Sequence, residues 1–158
     1  MTKVQIRREA QRIALIDAAE QRIARDGLAG VKARDLAQDV GVALGAIYNL
    51  VTDLDELMLR VASRTLARLD QALEEAAMPS GEPTACDRLV AIALAYRTFA
   101  TANTHLWRSL FEYRMQADRP LPEWAVIDQM HLFRHILEPL AALMPDAPEA
   151  ERQTMAST

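Results

Sequence analysis

The sequence predicts an all-α protein, and two observations carry that reading. Apolar residues recur at three- and four-residue intervals, while no window shows the sustained alternation or the Val, Ile and Thr density of strands. Proline and glycine then punctuate the chain into separate helices. The first helix is expected over 3–26, with Ile6, Ile13, Ile16 and Ile23 on one face and Gly27 ending it. After a GLAG connector come helical pieces at 33–40 and 44–50, joined by a turn at Gly41. Asp53 and Glu56 form a capping box for a long helix reaching about residue 78, with Met58, Ala62, Thr65, Leu69, Ala72 and Ala76 as its buried stripe. MPSGEPT breaks it, Thr84 and Asp87 open the next helix, and a shorter one follows Asn103 and Thr104 until ADRPLPE. A further helix is expected over 123–143, kinked by Pro139, and Asp146 with Glu149 opens a last one.

Composition narrows the class. The 158 residues, about half of them apolar, suffice for one compact domain or a small domain attached to a larger one. Net charge is −4, yet residues 1–34 hold eight Lys or Arg against four Asp or Glu, and residues 61–158 hold nine against thirteen. The asymmetry suggests an N-terminal end facing an anion, although an ordinary solvated helix can show the same charges. A lone Cys86 precludes an internal disulfide and fits a reducing compartment. No apolar run approaches the roughly 20 residues of a membrane span, and MTKVQIRREAQR lacks the apolar core of a secretion signal. A cytoplasmic protein without a membrane partner is expected.

Function is concentrated in KARDLAQDVGVALGAIYNL, residues 32–50. Leu36, Ala37 and Val40 bury one helix, Gly41 permits a left-handed turn, Val42 plugs the junction and Ile47 buries the second helix across it. Such spacing lets two helices meet steeply and present the second to a DNA major groove, though other helical hairpins share it.

With Asp26-Gly27, Leu36-Ala37, Asp39-Val40-Gly41-Val42, Gly45-Ala46-Ile47-Tyr48-Asn49 and Asp55-Glu56-Leu57 in order, residues 7–60 resemble the N-terminal domain of the tetracycline-repressor (TetR) family of transcriptional regulators. HLWRSLFEYRMQADRPLPEW resembles, more loosely, the ligand domain of one subgroup. The resemblance implies a helix-turn-helix DNA-binding domain of three helices over 1–52 and a helical ligand-binding and dimerisation domain over 53–158. It places Tyr48 and Asn49 against phosphates, Gly45 at a close approach to the duplex and Arg34 near the groove rim, with Lys3, Arg7 and Arg8 reaching the backbone. Tyr48 as a filler of the helix junction and Arg34 as a plain surface charge are the structural alternatives. TetR-type dimers use two long C-terminal helices, of which only DAPEAERQTMAST is present; the second domain therefore looks truncated and the homodimer weakened, with the Val126–Met144 apolar stripe left partly open.

Departures from the family pattern matter too. Lys32 and Ala43 stand where hydroxyl residues usually cap the two helices, a loss of about 0.5–2 kcal/mol per cap. Leu54 replaces a family Lys beside Asp53, Asp55 and Glu56, so the grip on phosphate should rest on Lys32 and the basic first helix. Leu44 and Ala46 can touch a thymine methyl, which conveys less sequence information than a bidentate Arg.

A second cluster is aromatic. Tyr96, Phe99, Trp107, Phe111, Met130 and Phe133 are the candidate lining of a pocket for a small apolar or amphipathic effector, with core packing as the alternative for each. Asp128, His131, His135 and Glu138 have metal-ligand spacing on one helix, but Val126, Met130, Phe133, Leu137, Leu140 and Met144 form its expected buried stripe, so the four polar residues read as a solvated face. No metal, cofactor or catalytic constellation is expected, and the chain reads as a regulator rather than an enzyme. The expected function is a DNA-binding repressor released by an unknown effector; the alternative is a helical interaction scaffold of the same fold with weakened or lost operator binding.

Overall fold

A computed structural model of the chain describes residues 2–77, 83–115, 120–144 and 148, with the side chains of 128–130 excepted. The helix expected at Asp146 and Glu149 lies outside them. The described secondary structure is helical throughout, in agreement with the predicted class: α1 (Lys3–Asp26), α2 (Ala33–Asp39), α3 (Leu54–Ala77), α4 (Ala85–Ala102), α5 (Thr104–Glu112) and α6 (Glu123–Leu143), with short 3₁₀ segments at Leu28–Gly30 and Leu44–Asn49.

Two compact units result, one from the described residues of Met1–Thr65 and Asn103–Pro120, the other from those of Leu66–Ala102 and Leu121–Thr158. This packing division differs from a single cut after residue 52. The first unit includes the start of α3 and all of α5.

In the first unit, α1 begins on a capping box in which the Thr2 amide donates to Gln5 Oε1 at 2.7 Å and the Gln5 amide donates to Thr2 Oγ1 at 3.3 Å. Gly27 ends it at φ +68°, with its amide donating to the Ile23 carbonyl. The buried face of α1 is Leu15, Ile16, Ala19 and Ile23; Ile6 and Ile13, expected on it, are exposed. The sequence period was right from Ile16 onward, but the N-terminal half of α1 extends beyond the core it would need to cover. Leu15, Ile16, Ala19, Ile23, Leu36, Ala37, Ile47, Leu50, Val51, Leu57, Met58 and Val61 form one cluster, completed by Leu106 from α5. Each fully buried aliphatic side chain contributes about 1.5–3 kcal/mol, so this cluster fixes the three N-terminal helical segments on one another. Arg22 reinforces it: its guanidinium donates to both Asp39 oxygens at 2.5 and 2.9 Å, tying α1 to the end of α2.

α3 is capped by Asp53, whose Oδ1 accepts from the Glu56 amide at 2.8 Å, while Glu56 reaches one residue further than expected and accepts from the Thr52 amide at 2.7 Å. Its buried positions are Asp55, Leu57, Met58, Val61, Thr65, Leu66, Leu69 and Leu73; Ala62, Ala72 and Ala76 of the expected stripe are only half-buried. The larger leucines point inward and the alanines flank them.

In the second unit, Thr84 and Asp87 make the expected reciprocal cap of α4. The face of α6 differs from expectation. Ala125, His135 and Pro139 are buried, whereas Val126 and Phe133 of the expected stripe are 38% and 42% exposed. His135 is held inside by Asp70 of α3, whose Oδ1 lies 2.8 Å from its Nε2. A charged partner thus compensates burial that hydrophobicity alone assigns to the opposite face.

Candidate nucleic-acid interface

The helix-turn-helix is built on Gly41. Its φ of +68° is a conformation that L side chains rarely adopt, and it lets the chain reverse between α2 and the next segment. The Val42 amide donates back to the Ala37 carbonyl at 2.9 Å, and half-buried Val40 and Val42 pack on the common core. Ile47, fully buried, anchors the second element.

That second element is a six-residue 3₁₀ segment, Leu44–Asn49, rather than the α-helix expected over 44–50. The cause lies in its residues. Ala43 occupies the N-cap position without a side-chain acceptor, Gly45 loses more conformational entropy on ordering than any other residue, and six residues support few i to i−4 bonds. Lys32 likewise begins α2 with no side-chain cap.

Anchoring Ile47 turns its neighbours outward. Leu44 is 48% and Tyr48 52% exposed, Gly45 and Asn49 are exposed, and Ala46 is half-buried. Tyr48 therefore does not fill the helix junction. Tyr48 and Asn49 join Gln5, Arg8, Glu9, Arg12, Thr52 and Glu56 along an open groove of about 670 Å³ beside the N-terminal half of α1, in which the carboxylates of Glu9 and Glu56 lie beside Arg8 and Arg12. Gln5 is not singled out from the sequence, because its nearness to Tyr48 depends on how α1 packs; Thr52, four residues after Tyr48, is a local neighbour that the sequence reading does not pick out. A Cβ added to Gly45 would meet nothing within 4 Å, so nothing in the protein's own packing requires glycine there.

Ion pairing sorts the eight basic residues of the first 34. Arg12 is bound to Glu9 at 2.6 Å, Arg22 to Asp39 and Asp35, and Arg25 to Asp26 at 2.7 Å. The Arg12 guanidinium holds the Glu9 carboxyl below its usual range, Arg25 does so for Asp26 and Arg22 for Asp39. Lys3, Arg7, Arg8, Lys32 and Arg34 are exposed and make no ion pair among the described residues. These five are the cations assigned to DNA from the sequence.

α5 supports the head from behind. Leu106 and Ser109 are buried, and the Tyr113 hydroxyl donates to Asp55 Oδ1 at 2.5 Å. Burial, and then the hydrogen bond and charge of Asp55, push the Tyr113 hydroxyl far above its ordinary range, so it remains a donor. No sequence signal links positions 55 and 113.

The expected pocket residues are divided between the two units. In the first, Trp107 and Phe111 stack edge to face with centroids 4.9 Å apart, and Phe111 is 63% exposed. In the second, Tyr96 and Phe133 are exposed and Phe99 half-buried; the Met130 side chain is outside the described residues. Among the described residues, no helix is long and apolar enough to cross a membrane.

Two anchored helical segments around a left-handed turn, with polar residues projecting from the second, define the helix-turn-helix class. No family model matches the chain. It is 25% identical over 104 residues to the HTH-type transcriptional regulators Mb1846 of Mycobacterium bovis and Rv1816 of Mycobacterium tuberculosis, a match covering 66% of this chain and 44% of each relative. The chain thus spans less than half the length of the curated relatives it matches. Among solved structures, a Rhodococcus protein of unknown function aligns over 92% of this chain and 75% of its own, with a TM-score of 0.72 and 25% identity. A candidate TetR-family transcriptional regulator of Vibrio parahaemolyticus aligns over 86% and 70%, with a TM-score of 0.60 and 21% identity. The multidrug-binding protein EbrR, solved with imidazole, aligns over 93% of both chains, with a TM-score of 0.50 and 20% identity. The resemblance to the TetR family is borne out in fold: this chain has the all-α architecture of those regulators.

Proposed function

We propose that the chain is a DNA-binding transcriptional regulator of the TetR type, a repressor whose grip on its operator is released by a small effector. The observation that carries the reading is the exposure of Leu44, Gly45, Tyr48 and Asn49 on a segment anchored by buried Ile47, together with charge pairing in the first 34 residues. Three of the eight N-terminal cations are paired with nearby carboxylates, while Lys3, Arg7 and Arg8 of α1, Lys32 and Arg34 make no ion pair among the described residues. Phosphate contacts supply most of the affinity in such complexes, and base-edge contacts supply specificity. Lys3, Arg7, Arg8, Lys32 and Arg34 take the first role with Tyr48 and Asn49; Leu44, Gly45 and Ala46 take the second.

On this reading residues 1–52 bind operator DNA and residues 53–158 sense an effector and pair two copies. Partly open Val126 and Phe133 on α6, with Val90 and Leu94 on α4, supply apolar surface for those two tasks. α3 links head to sensor covalently, so an effector with unequal affinity for two settings of α3 shifts the population able to bind DNA. The direct test is titration of a labelled fragment from upstream of the gene at low salt. Saturable binding that is weakened in a well-folded Tyr48→Phe protein supports the proposal. Absence of binding at low salt favours a helical interaction scaffold of the same fold.

A further inference from the structure

We propose that Asp70, Glu74 and His135 form a site for one divalent transition-metal ion of the zinc class. Asp70 and Glu74 stand one turn apart on α3, and His135 faces them from α6 within the same unit. Their ligand atoms all lie within 4.8 Å of one another. Metal–ligand bonds of about 2.0–2.2 Å give tetrahedral edges of roughly 3.4 Å, so modest side-chain rotations bring the three into coordination range. His135 is 8% exposed, which marks a built position rather than a chance surface histidine.

Arg134 occupies the place of the cation. Its guanidinium donates to Asp70 at 3.0 Å and to Glu74 at 2.7 Å, yet its side chain is 45% exposed and can withdraw to solvent. The two carboxylates attract positive charge whether Arg134 or a metal supplies it. An adjoining cavity of about 280 Å³, lined by Glu74, His135 and Glu138 and by the cations Arg88 and Arg134, has room for waters that complete the coordination shell. One imidazole nitrogen with carboxylate oxygens suits zinc and its neighbours; calcium and magnesium prefer all-oxygen shells. The site stands independently of DNA binding.

Calorimetric titration of Zn²⁺ into the full chain tests this. One equivalent should bind, with at least a tenfold loss of affinity in Glu74→Gln and in His135→Gln. Glu74 is 56% exposed, so its variant retains the fold even if a change at buried His135 does not. Arg134→Gln removes the competing cation and should tighten binding severalfold. An ion-pair role alone would give no such gain. Co²⁺ substitution supplies a second readout: a visible ligand-field band that the Glu74 variant loses. No saturable binding in either the natural chain or Arg134→Gln, or equal affinity in the natural chain and Glu74→Gln, would overturn the proposal.

Discussion

Gly41 and Gly45 sit four residues apart in different backbone settings. At Gly41 the backbone demands glycine: alanine at φ +68° costs about 1–2 kcal/mol, so Gly41→Ala should lower the melting temperature. At Gly45 the protein itself demands nothing, because an added methyl meets open space. Gly45→Ala should therefore leave stability unchanged or raise it by about 0.5–1 kcal/mol while weakening DNA binding, since the methyl would occupy the space of a close approach to the duplex. Paired thermal melts and DNA titrations separate the two effects; unchanged DNA affinity would remove Gly45 from the interface. Tyr48→Phe should behave similarly, with loss of a phosphate contact and little loss of stability, because its ring is half exposed. The turn and the buried anchors are legible in the sequence because the helix-turn-helix is local: they lie within 19 consecutive residues.

At the level of elements, the weak point is the 3₁₀ segment Leu44–Asn49. Ala43 already has the extended conformation of an N-cap, with φ −65° and ψ 148°, and lacks only an acceptor. Ala43→Ser should stabilise the protein by about 1 kcal/mol, measurable by urea unfolding; no gain would mean that the 3₁₀ geometry places the Gly45 or Ala46 amide out of reach. The cap of α3 makes an acid-sensitive contribution. Burial raises the Glu56 carboxyl's pKa, but bonds from Thr52 and Arg60 outweigh it, and the net value lies below the ordinary 4.5. A depressed carboxylate stabilises above its unfolded value, and the contribution is lost as pH falls through the folded one. The stability gap between the natural chain and Glu56→Gln should therefore be full above about pH 4.5 and close on further acidification. Helix ends were readable because caps are local, as Thr84 and Asp87 show. Faces were less so: His135 is buried by a carboxylate 65 positions away, and Tyr113 joins the head through Asp55 across 58, pairings that periodicity cannot reveal.

For the whole molecule, charge is partitioned by pairing rather than by count. The chain carries net charge −4, yet in its first 34 residues Arg12, Arg22 and Arg25 are paired with carboxylates while Lys3, Arg7, Arg8, Lys32 and Arg34 make no ion pair among the described residues. Two heads reading one operator must lie about 34–36 Å apart, so a dimer is part of the account. Light scattering over a concentration series should show concentration-dependent pairing, and a monomer at every concentration would count against an operator read by two copies. The salt dependence of DNA binding tests the central claim most directly. Five cations per protomer, or ten in a pair, set a ceiling of about 9 on the slope of log affinity against log salt, at about 0.9 per phosphate. A negative slope within that ceiling is expected, made shallower by about 0.9 for each contact removed in Lys32→Gln or Arg34→Gln and unaltered by Arg25→Gln, whose charge is already paired with Asp26. A slope indifferent to Lys32 and Arg34, or no binding at the lowest salt, would contradict it.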